Sequence, residues 1–476
     1  MNAFIKRLLA FSLGPAGGAV IAFITIPVTT HFVSPEEYGK AGMFALALTM
    51  LSTFQYLGID QAYTREFNEV GDRQSLFLHA LMLPLMFAFF LFTLIALNLE
   101  TASHLLFGVR DQYGAALLLG VSLIFITFER FILLAIRMEE KAFTYSFFNI
   151  FIKFVILVAT LVFVLFIRRD FLAVVYSTAA GQMLGDLFLM IRYRTCFSLR
   201  RFRFDRALMR RMLAFGLPLV VAASASTFLN SAGRLALRTW SSFYDIGMFQ
   251  AALKIAAVLG VVQTSFTNFW VPTAYRWHSE GRSMHAFQAV SDGVLLCMSV
   301  LYLGVLLFKD QIMLILSAQY LPAAGILGLL ALQPVLYTIS ETTTLGIVFS
   351  RKSYLNIAVS ICALIPCVLI NALAVPRFGV FGAALATGIS YVLFFWSRSY
   401  FSLKNWPGFS LTKHHAVVLV LLLAGIVNAA HFPFMFLVNL GMLLLVILIQ
   451  LHTLTSLLGR WRAAKKGRES SVSFHD

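Results

Sequence analysis

One pattern occurs twice in this sequence, as VSPEEYGKAGMFALAL (33–48) and as WSSFYDIGMFQAALKI (240–255). Each copy follows a helix that opens with a Gly and a Pro, in LAFSLGP (9–15) and in LAFGLP (213–218). Each copy places a Ser, an acid and a Gly at the same spacing, before a helix rich in small residues. The matched positions are Ser34 with Ser242, Glu37 with Asp245, and Gly39 with Gly247. The sequence therefore predicts two halves that begin alike.

The composition places most of the chain in a membrane. Of its 476 residues, 60% are hydrophobic and 12% are charged, and the mean hydropathy is +0.84. Soluble domains carry about 25% charged residues. A membrane-spanning helix needs about 20 mostly apolar residues, and fourteen stretches qualify. Their approximate cores are 8–32, 41–59, 76–98, 114–136, 143–167, 171–191, 212–232, 247–271, 288–308, 323–349, 354–375, 379–401, 415–431 and 433–457.

The first of these stretches is too long for the apolar region of a signal peptide, so we interpret it as a retained helix. The predicted fold is all-α and polytopic, with about 14 transmembrane helices in two pseudo-symmetric six-helix lobes plus two C-terminal helices. The predicted divisions are an N-terminal lobe, a basic cytoplasmic connector, a C-terminal lobe, helices 13–14 and a cytoplasmic tail. They cover residues 1–191, 192–211, 212–403, 404–458 and 459–476 respectively.

The basic residues predict the orientation. With the N-terminus inside, 26 of the 37 Lys and Arg residues fall on the inner side, 8 fall outside and three lie within helices. Cytoplasmic loops of membrane proteins carry such an excess, so both termini are predicted to be cytoplasmic. The net charge of +16 and the connector at 192–211 are explained by an anionic inner leaflet, and no nucleic-acid partner is predicted. Because six helices separate the two copies, the halves form a parallel repeat about the membrane normal.

The residues at the repeat also carry a family resemblance. LGPAGGAVIAFITIPVTTHFVSPEEYGK (13–40) and YLGIDQAYTREF (56–67) resemble the opening of bacterial polysaccharide flippases. FERFILLAIRMEEKAFTYS (128–146) and DIGMFQAALKI (245–255) carry the same resemblance, which covers essentially the whole chain. The family is that of the O-antigen (Wzx-type) translocases, in the multidrug/oligosaccharidyl-lipid/polysaccharide exporter superfamily.

This resemblance implies two six-helix lobes in a V and transport by alternating access. The implied cargo is an undecaprenyl-diphosphate-linked oligosaccharide, an O-antigen or other surface polysaccharide unit such as that of lipopolysaccharide. It would move from the cytoplasmic to the periplasmic leaflet of the bacterial inner membrane. The implied partners are this lipid-linked cargo, membrane lipids and, as candidates, other membrane proteins of polysaccharide assembly. The resemblance does not identify the glycan.

Five basic residues are predicted to line a cavity between the lobes. Lys254 has no acidic residue within a helical turn, and a lone cation suits a diphosphate. The resemblance adds to this, because lipid-diphosphate flippases often carry a basic residue at this point. The alternative is a lysine that snorkels to the outer interface. Arg234 and Arg238 are expected toward the outer mouth of the cavity, and Arg65 near its inner mouth. Arg130 is the fifth candidate.

Charged residues inside the membrane also predict ion pairs or coupling sites. Glu129 and Lys153 lie on consecutive helices at about 12 and 18 Å from the inner side. They are predicted to be coupled, and a purely structural ion pair fits equally well. Glu341 and Asp292 are the other candidates. Snorkelling at the inner interface is a sufficient explanation for the following residues: Asp60, Arg65, Asp186 and Asp292.

The sequence contains no pattern of a catalytic, nucleotide or metal site, so no enzyme activity, cofactor or metal is predicted. It has no phosphate-binding G-x-x-x-x-G-K-[ST] loop, and its four Cys are scattered. Two alternatives to a flippase stay open. A drug/cation antiporter of the same superfamily would need a titratable group, which Glu129 or Glu341 could supply, although the first helix has no charge between 8 and 35. A membrane glycan polymerase or ligase would need a sizeable outer loop, and the chain has none.

Overall fold

The structure, a computed structural model, describes residues 2–198, 202–350, 352, 354–430, 432–456 and 459. Within these ranges the regular secondary structure is helical, without a β-strand, which confirms the predicted all-α class. The predicted tail at 459–476 lies outside the described residues except for Gly459, and so do positions 199–201 of the basic connector.

The described chain forms seventeen α-helices. They are α1 (Asn2–Phe32), α2 (Pro35–Gln55), α3 (Ile59–Glu66), α4 (Arg73–Leu97), α5 (Leu99–Phe107), α6 (Tyr113–Met138), α7 (Ala142–Val162), α8 (Phe171–Arg192), α9 (Arg206–Trp240), α10 (Phe243–Ser279), α11 (Met284–Leu307), α12 (Lys309–Leu314), α13 (Ala324–Thr343), α14 (Leu345–Phe349), α15 (Leu355–Asn405), α16 (Thr412–Ala429) and α17 (Met435–Ile449). A π-helical turn at Phe163–Ile167 extends α7, and 3₁₀ turns lie at Arg194–Phe197 and Ala318–Ala323.

Many of these helices are long and apolar enough to cross a membrane. In the described part of the chain ten helices qualify singly, and α2 with α3, which are bent by 49° at their junction, qualify together. The chain is therefore a multi-pass membrane protein, as predicted. The count of fourteen spans is not established, since α17 and the apolar part of α1, Ala16–Phe32, are shorter than the others.

Helix α15 contains two of the predicted spans in one element. Its 51 residues would extend about 76 Å as a continuous helix, more than twice the thickness of the hydrocarbon core. The backbone breaks at Gly379, where φ is 50° and ψ is −127°. This break separates the segments that correspond to the predicted cores 354–375 and 379–401.

The repeated turn forms a helix cap in both copies. Ser34 caps α2, and its hydroxyl accepts the backbone N–H of Glu37 at 3.4 Å. Ser242 precedes α10, and its hydroxyl accepts the N–H of Asp245 at 3.2 Å. A serine followed three residues later by an acid satisfies free N–H groups at a helix start and places negative charge at the positive end of the helix dipole. The matched sequences therefore fold into matched local structures.

The two capped helices pack against each other at their matched glycines. A Cβ on Gly39 would overlap the carbonyl oxygen of Phe243, and a Cβ on Gly247 would overlap that of Pro35. The backbones of α2 and α10 are thus in direct contact at this point. Only glycine permits such a close approach, which explains the residue type in both copies.

The chain divides into two compact units. The first contains the chain up to Lys254 together with 315–320 and 375–380, and the second contains 255–314, 321–374 and the chain from Phe381 onward. Within the second unit, the Tyr302 hydroxyl donates to the Leu421 carbonyl at 3.0 Å, which ties α11 to α16. The predicted divisions at 191, 211, 403 and 458 stay a prediction.

Candidate functional site

Five helices of the first unit, α1, α2, α7, α8 and α10, enclose a cavity of about 200 Å³. Small residues bring two of them together, because a Cβ on Gly14 of α1 would meet Ser146 of α7 at 2.5 Å. The Gly14 N–H donates to the Ser146 hydroxyl at 3.0 Å. About half of the lining side chains are apolar. The polar ones are Thr25, Thr29, Tyr38, Lys153, Thr160, Thr178, Gln250 and Lys254.

Two lysines face this cavity from different helices, Lys153 from α7 and Lys254 from α10. Both lysine side chains are accessible rather than buried. The charged groups that act on Lys254 are cations, Arg234 and Lys153, and among the described residues no acid forms an ion pair with it. A membrane-embedded charge normally pairs with an opposite one or faces a polar cavity. Lys254 therefore lies on the wall of a cavity within the first unit, and its place in a cavity between the lobes stays a prediction.

A third cation lies directly behind the cavity wall. The amide oxygen of Gln250, one helical turn before Lys254, accepts a hydrogen bond from Arg234 Nη1 of α9 at 3.2 Å. Arg234 also donates to the Asn230 carbonyl at 3.5 Å, and its buried Nε finds no partner in the described part of the chain. Arg234 and Lys153 therefore both act on Lys254, and within the described residues no carboxylate pairs with Lys254 or Arg234.

An acidic group lies on the other side of Lys153. Gln182 of α8 donates its side-chain amide to Glu129 of α6 at 2.9 Å and to Asp186, one turn further along α8, at 2.8 Å. Lys153 acts electrostatically on both carboxylates, although no direct salt bridge joins it to either of them within the described residues. Lys153 therefore lies between a pair of acids and the cationic cavity.

Three of the predicted cavity residues contact other parts of the first unit. The Arg130 guanidinium forms an ion pair with Asp60 at 2.5 Å. Arg65 stacks on the Phe215 ring at 4.7 Å. Arg238 donates to two backbone carbonyls at the end of α5, at 2.6 and 2.9 Å. The described cavity wall includes none of the three. Of the five predicted basic residues, Lys254 lines this cavity, and Arg234 contacts its wall from behind through Gln250.

The remaining candidates lie in the second unit and are paired. Glu341 of α13 accepts a hydrogen bond from Arg398 at 2.9 Å, and both side chains are buried. Arg398 lies within α15, in the segment of the predicted core 379–401. Asp292 pairs with Lys413 at 2.6 Å. Both acids therefore pair with a basic side chain, whereas Lys254 has no acidic partner in the part of the chain that the structure describes.

Sequence reasoning misjudged two acids and missed two glutamines. Asp60 and Asp186 were explained by snorkelling, but both are buried and bonded to protein groups, because neighbouring helices cover the face from which they project. Gln182 and Gln250 were not considered. Their spacing offered a signal, since each stands four residues before a charged residue on the same helix face.

Apolar helices around a cationic cavity define a multi-pass membrane protein of the transporter type. Comparison with known families makes this specific. The family model described as "Polysaccharide biosynthesis protein" matches residues 5–278, more than half of the chain. This protein belongs to that family, as the sequence resemblance predicted.

A curated relative and solved structures agree with this assignment. The chain is 20% identical over 225 residues to the "Probable low-salt glycan biosynthesis flippase Agl15" of Haloferax volcanii. That match spans 46% of this chain and about half, 47%, of the relative. Among solved structures, the lipid II flippase MurJ in an inward closed conformation matches with a TM-score of 0.70 at 14% identity, over 95% of this chain and 99% of that one.

An inward-facing multidrug resistance MATE family transporter of the MOP superfamily is also similar. Its TM-score is 0.62 at 15% identity, over 82% of this chain and 96% of that one. At these identities the likeness establishes a shared fold. The family model thus confirms the predicted family, and the two structures show that this chain shares their fold.

Proposed function

We propose that this protein is a flippase that moves an undecaprenyl-diphosphate-linked oligosaccharide across the bacterial inner membrane by alternating access. The observation that carries this proposal is a cavity lined by Lys153 and Lys254, with Arg234 bonded to Gln250 behind its wall and, within the described residues, no acid paired with Lys254. The cargo is an O-antigen unit or the repeat of another surface polysaccharide, moved from the cytoplasmic to the periplasmic leaflet with both termini of the protein in the cytoplasm.

The chemistry of the cargo explains why such a cavity is needed. A diphosphate carries negative charge, and hydrocarbon offers it neither water nor hydrogen-bond donors. Two lysine ammonium groups and the amide of Gln250 offer it both charge and donors. The threonine hydroxyls and Tyr38 add polar surface for the first sugar. The family and the curated relative, a glycan biosynthesis flippase by its name, favour this cargo over a small cationic drug, which three cations would repel.

The test is complementation in a strain whose gene is deleted. The deletion should abolish the surface polysaccharide and leave the lipid-linked repeat units on the inner leaflet. Wild-type protein should restore export, and Lys254→Glu should not, although its abundance in the membrane stays normal. Lys404→Glu is the matched control, because Lys404 is exposed at the end of α15; it should export normally.

Two outcomes would reject the proposal. Normal surface polysaccharide in the deletion strain would show that the chain has no part in export. If repeat units instead accumulate outside the membrane, single units would favour a polymerase, and polymerised but unligated glycan would favour a ligase.

A further inference from the structure

We propose that Glu129 and Asp186 form a proton-binding pair, and that Lys153 couples proton uptake by this pair to binding of a diphosphate in the cavity. This inference rests on the proposed function, since it assumes that the cavity accepts the diphosphate. It goes beyond that function by assigning an ion, a site and a coupling residue.

The first argument is the supply of hydrogen bonds. A single nitrogen, Gln182 Nε2, serves both carboxylates, at 2.9 Å to Glu129 Oε2 and 2.8 Å to Asp186 Oδ1. Asp186 is fully buried, and its second oxygen, Oδ2, finds no partner among the described residues. A buried, ionised carboxylate with an unsatisfied oxygen is costly. A proton on the pair removes that charge and is the smallest ligand that can do so.

The second argument is the charge around the pair. Lys153 of α7 acts on both carboxylates of the pair. Arg130 and Tyr56 lie near Glu129, and Asp60 lies near Tyr56. Arg130 is already bonded to Asp60, so Lys153 is the cation left to compensate the two acids. Two neighbouring carboxylates in a medium of low dielectric constant do not both ionise unless nearby positive charge offsets them.

The third argument is the position of Lys153. Its side chain lines the cavity with Lys254, and it acts on Glu129 and Asp186 as well. A lysine side chain is flexible and carries a compact charge, so its ammonium group can turn toward the acids or toward the cavity. When a diphosphate occupies the cavity, it attracts Lys153. The acids then lose their compensating charge and take up a proton from the solvent, which they release when the diphosphate leaves.

Calorimetry on the purified, full-length protein in detergent tests this coupling, with farnesyl diphosphate as the probe. Titrations at about pH 8, where the diphosphate is ionised, are run in two buffers of different ionisation enthalpy. The difference between the two heats gives the number of protons exchanged on binding. We expect the wild type to take up protons, approaching one per diphosphate. Glu129→Gln and Asp186→Asn should each remove most of that uptake.

Glu100→Gln is the control, because Glu100 forms an exposed pair with Arg110 at 3.0 Å and should leave the uptake unchanged. The wild-type measurement decides the question even if one variant does not fold. Binding without proton uptake by the wild type would overturn the coupling and leave the proposed function intact. Uptake that persists in both acid variants would overturn the assignment to this pair. Failure of farnesyl diphosphate to bind at all would reject the cavity as a diphosphate site, and the coupling with it.

Discussion

At the scale of single residues, the partners of a charge separate structural from functional roles. Arg398 donates to Glu341 at 2.9 Å and to the Ser340 hydroxyl at 2.8 Å, and all three are buried. Each charge is offset locally, so the group can remain folded in one arrangement without a ligand. Lys254 has cations for neighbours and faces a cavity. A charge of this kind is compensated fully only when an anion arrives.

Substitution within the Glu341–Arg398 pair is predicted to lower the free energy of unfolding. Replacing Glu341 by Gln leaves Arg398 buried without a counter-charge, and breaking a buried pair in this way typically costs about 3–5 kcal/mol. Replacing both, as Glu341→Gln with Arg398→Met, should cost less than the sum of the single changes. Thermal unfolding of the purified variants in detergent measures this. Strictly additive losses would show that the two side chains do not stabilise each other.

Substitution of the unpaired Lys254 is predicted to affect transport, with little effect on stability. Lys254→Gln removes the charge and should lower the export rate at least about tenfold, which corresponds to about 1.4 kcal/mol. Lys254→Arg keeps the charge but changes its shape and donor geometry, so it should retain part of the rate. Export is measured as surface polysaccharide per unit of membrane-inserted protein. Equal export by both variants would mean that the charge at this position is not used.

At the scale of the helices, the repeated turn shows which structural features the sequence predicts and which it does not. The spacing of Ser, acid and Gly predicts two matched helix starts, and both caps form. It does not predict that Gly39 and Gly247 pack on each other's helix. Caps depend on residues three positions apart, whereas helix contacts depend on packing between segments about 200 residues apart. Periodicity in one segment carries no information about its neighbour.

This contact predicts a sharp difference between glycines of one helix. Gly247→Ala introduces a methyl group against the Pro35 carbonyl and should destabilise the protein by about 1–3 kcal/mol through overpacking. Gly260→Ala in the same helix is the control, because a Cβ there meets nothing within 4 Å. That control should be neutral or slightly stabilising, since Ala favours a helix more than Gly. Unfolding temperatures that fall equally for both variants would contradict the packing at Gly247.

At the scale of the whole molecule, composition and apolar stretches were sufficient to predict the all-α membrane class, which the structure confirms. The family was predicted from the resemblance of motifs such as 13–40 and 245–255 to known flippases, and the family model confirms it. The polar network around Gln182 could not be predicted in the same way. Asp186 stands near a helix end, where water is within reach of an isolated helix, and its burial depends on how α6 and α7 pack around α8. The same limit applies to Arg398, because its buried ion pair with Glu341 depends on how α13 packs against α15.

The orientation in the membrane is the prediction that belongs to the whole molecule. The excess of Lys and Arg on one set of loops predicts that 33–40, 99–112 and 233–246 face the periplasm and that the connector at 192–211 faces the cytoplasm. Native Cys196 lies in that connector, and Asp111 is exposed in a loop that is predicted to be outer. Two otherwise cysteine-free variants, one that keeps Cys196 and one with Asp111→Cys, would be treated in intact spheroplasts with a membrane-impermeant maleimide. We expect labelling of the second only, and labelling of Cys196 after the membrane is permeabilised. Labelling of Cys196 in intact spheroplasts would invert the map, and with it the direction in which the cavity would receive its cargo.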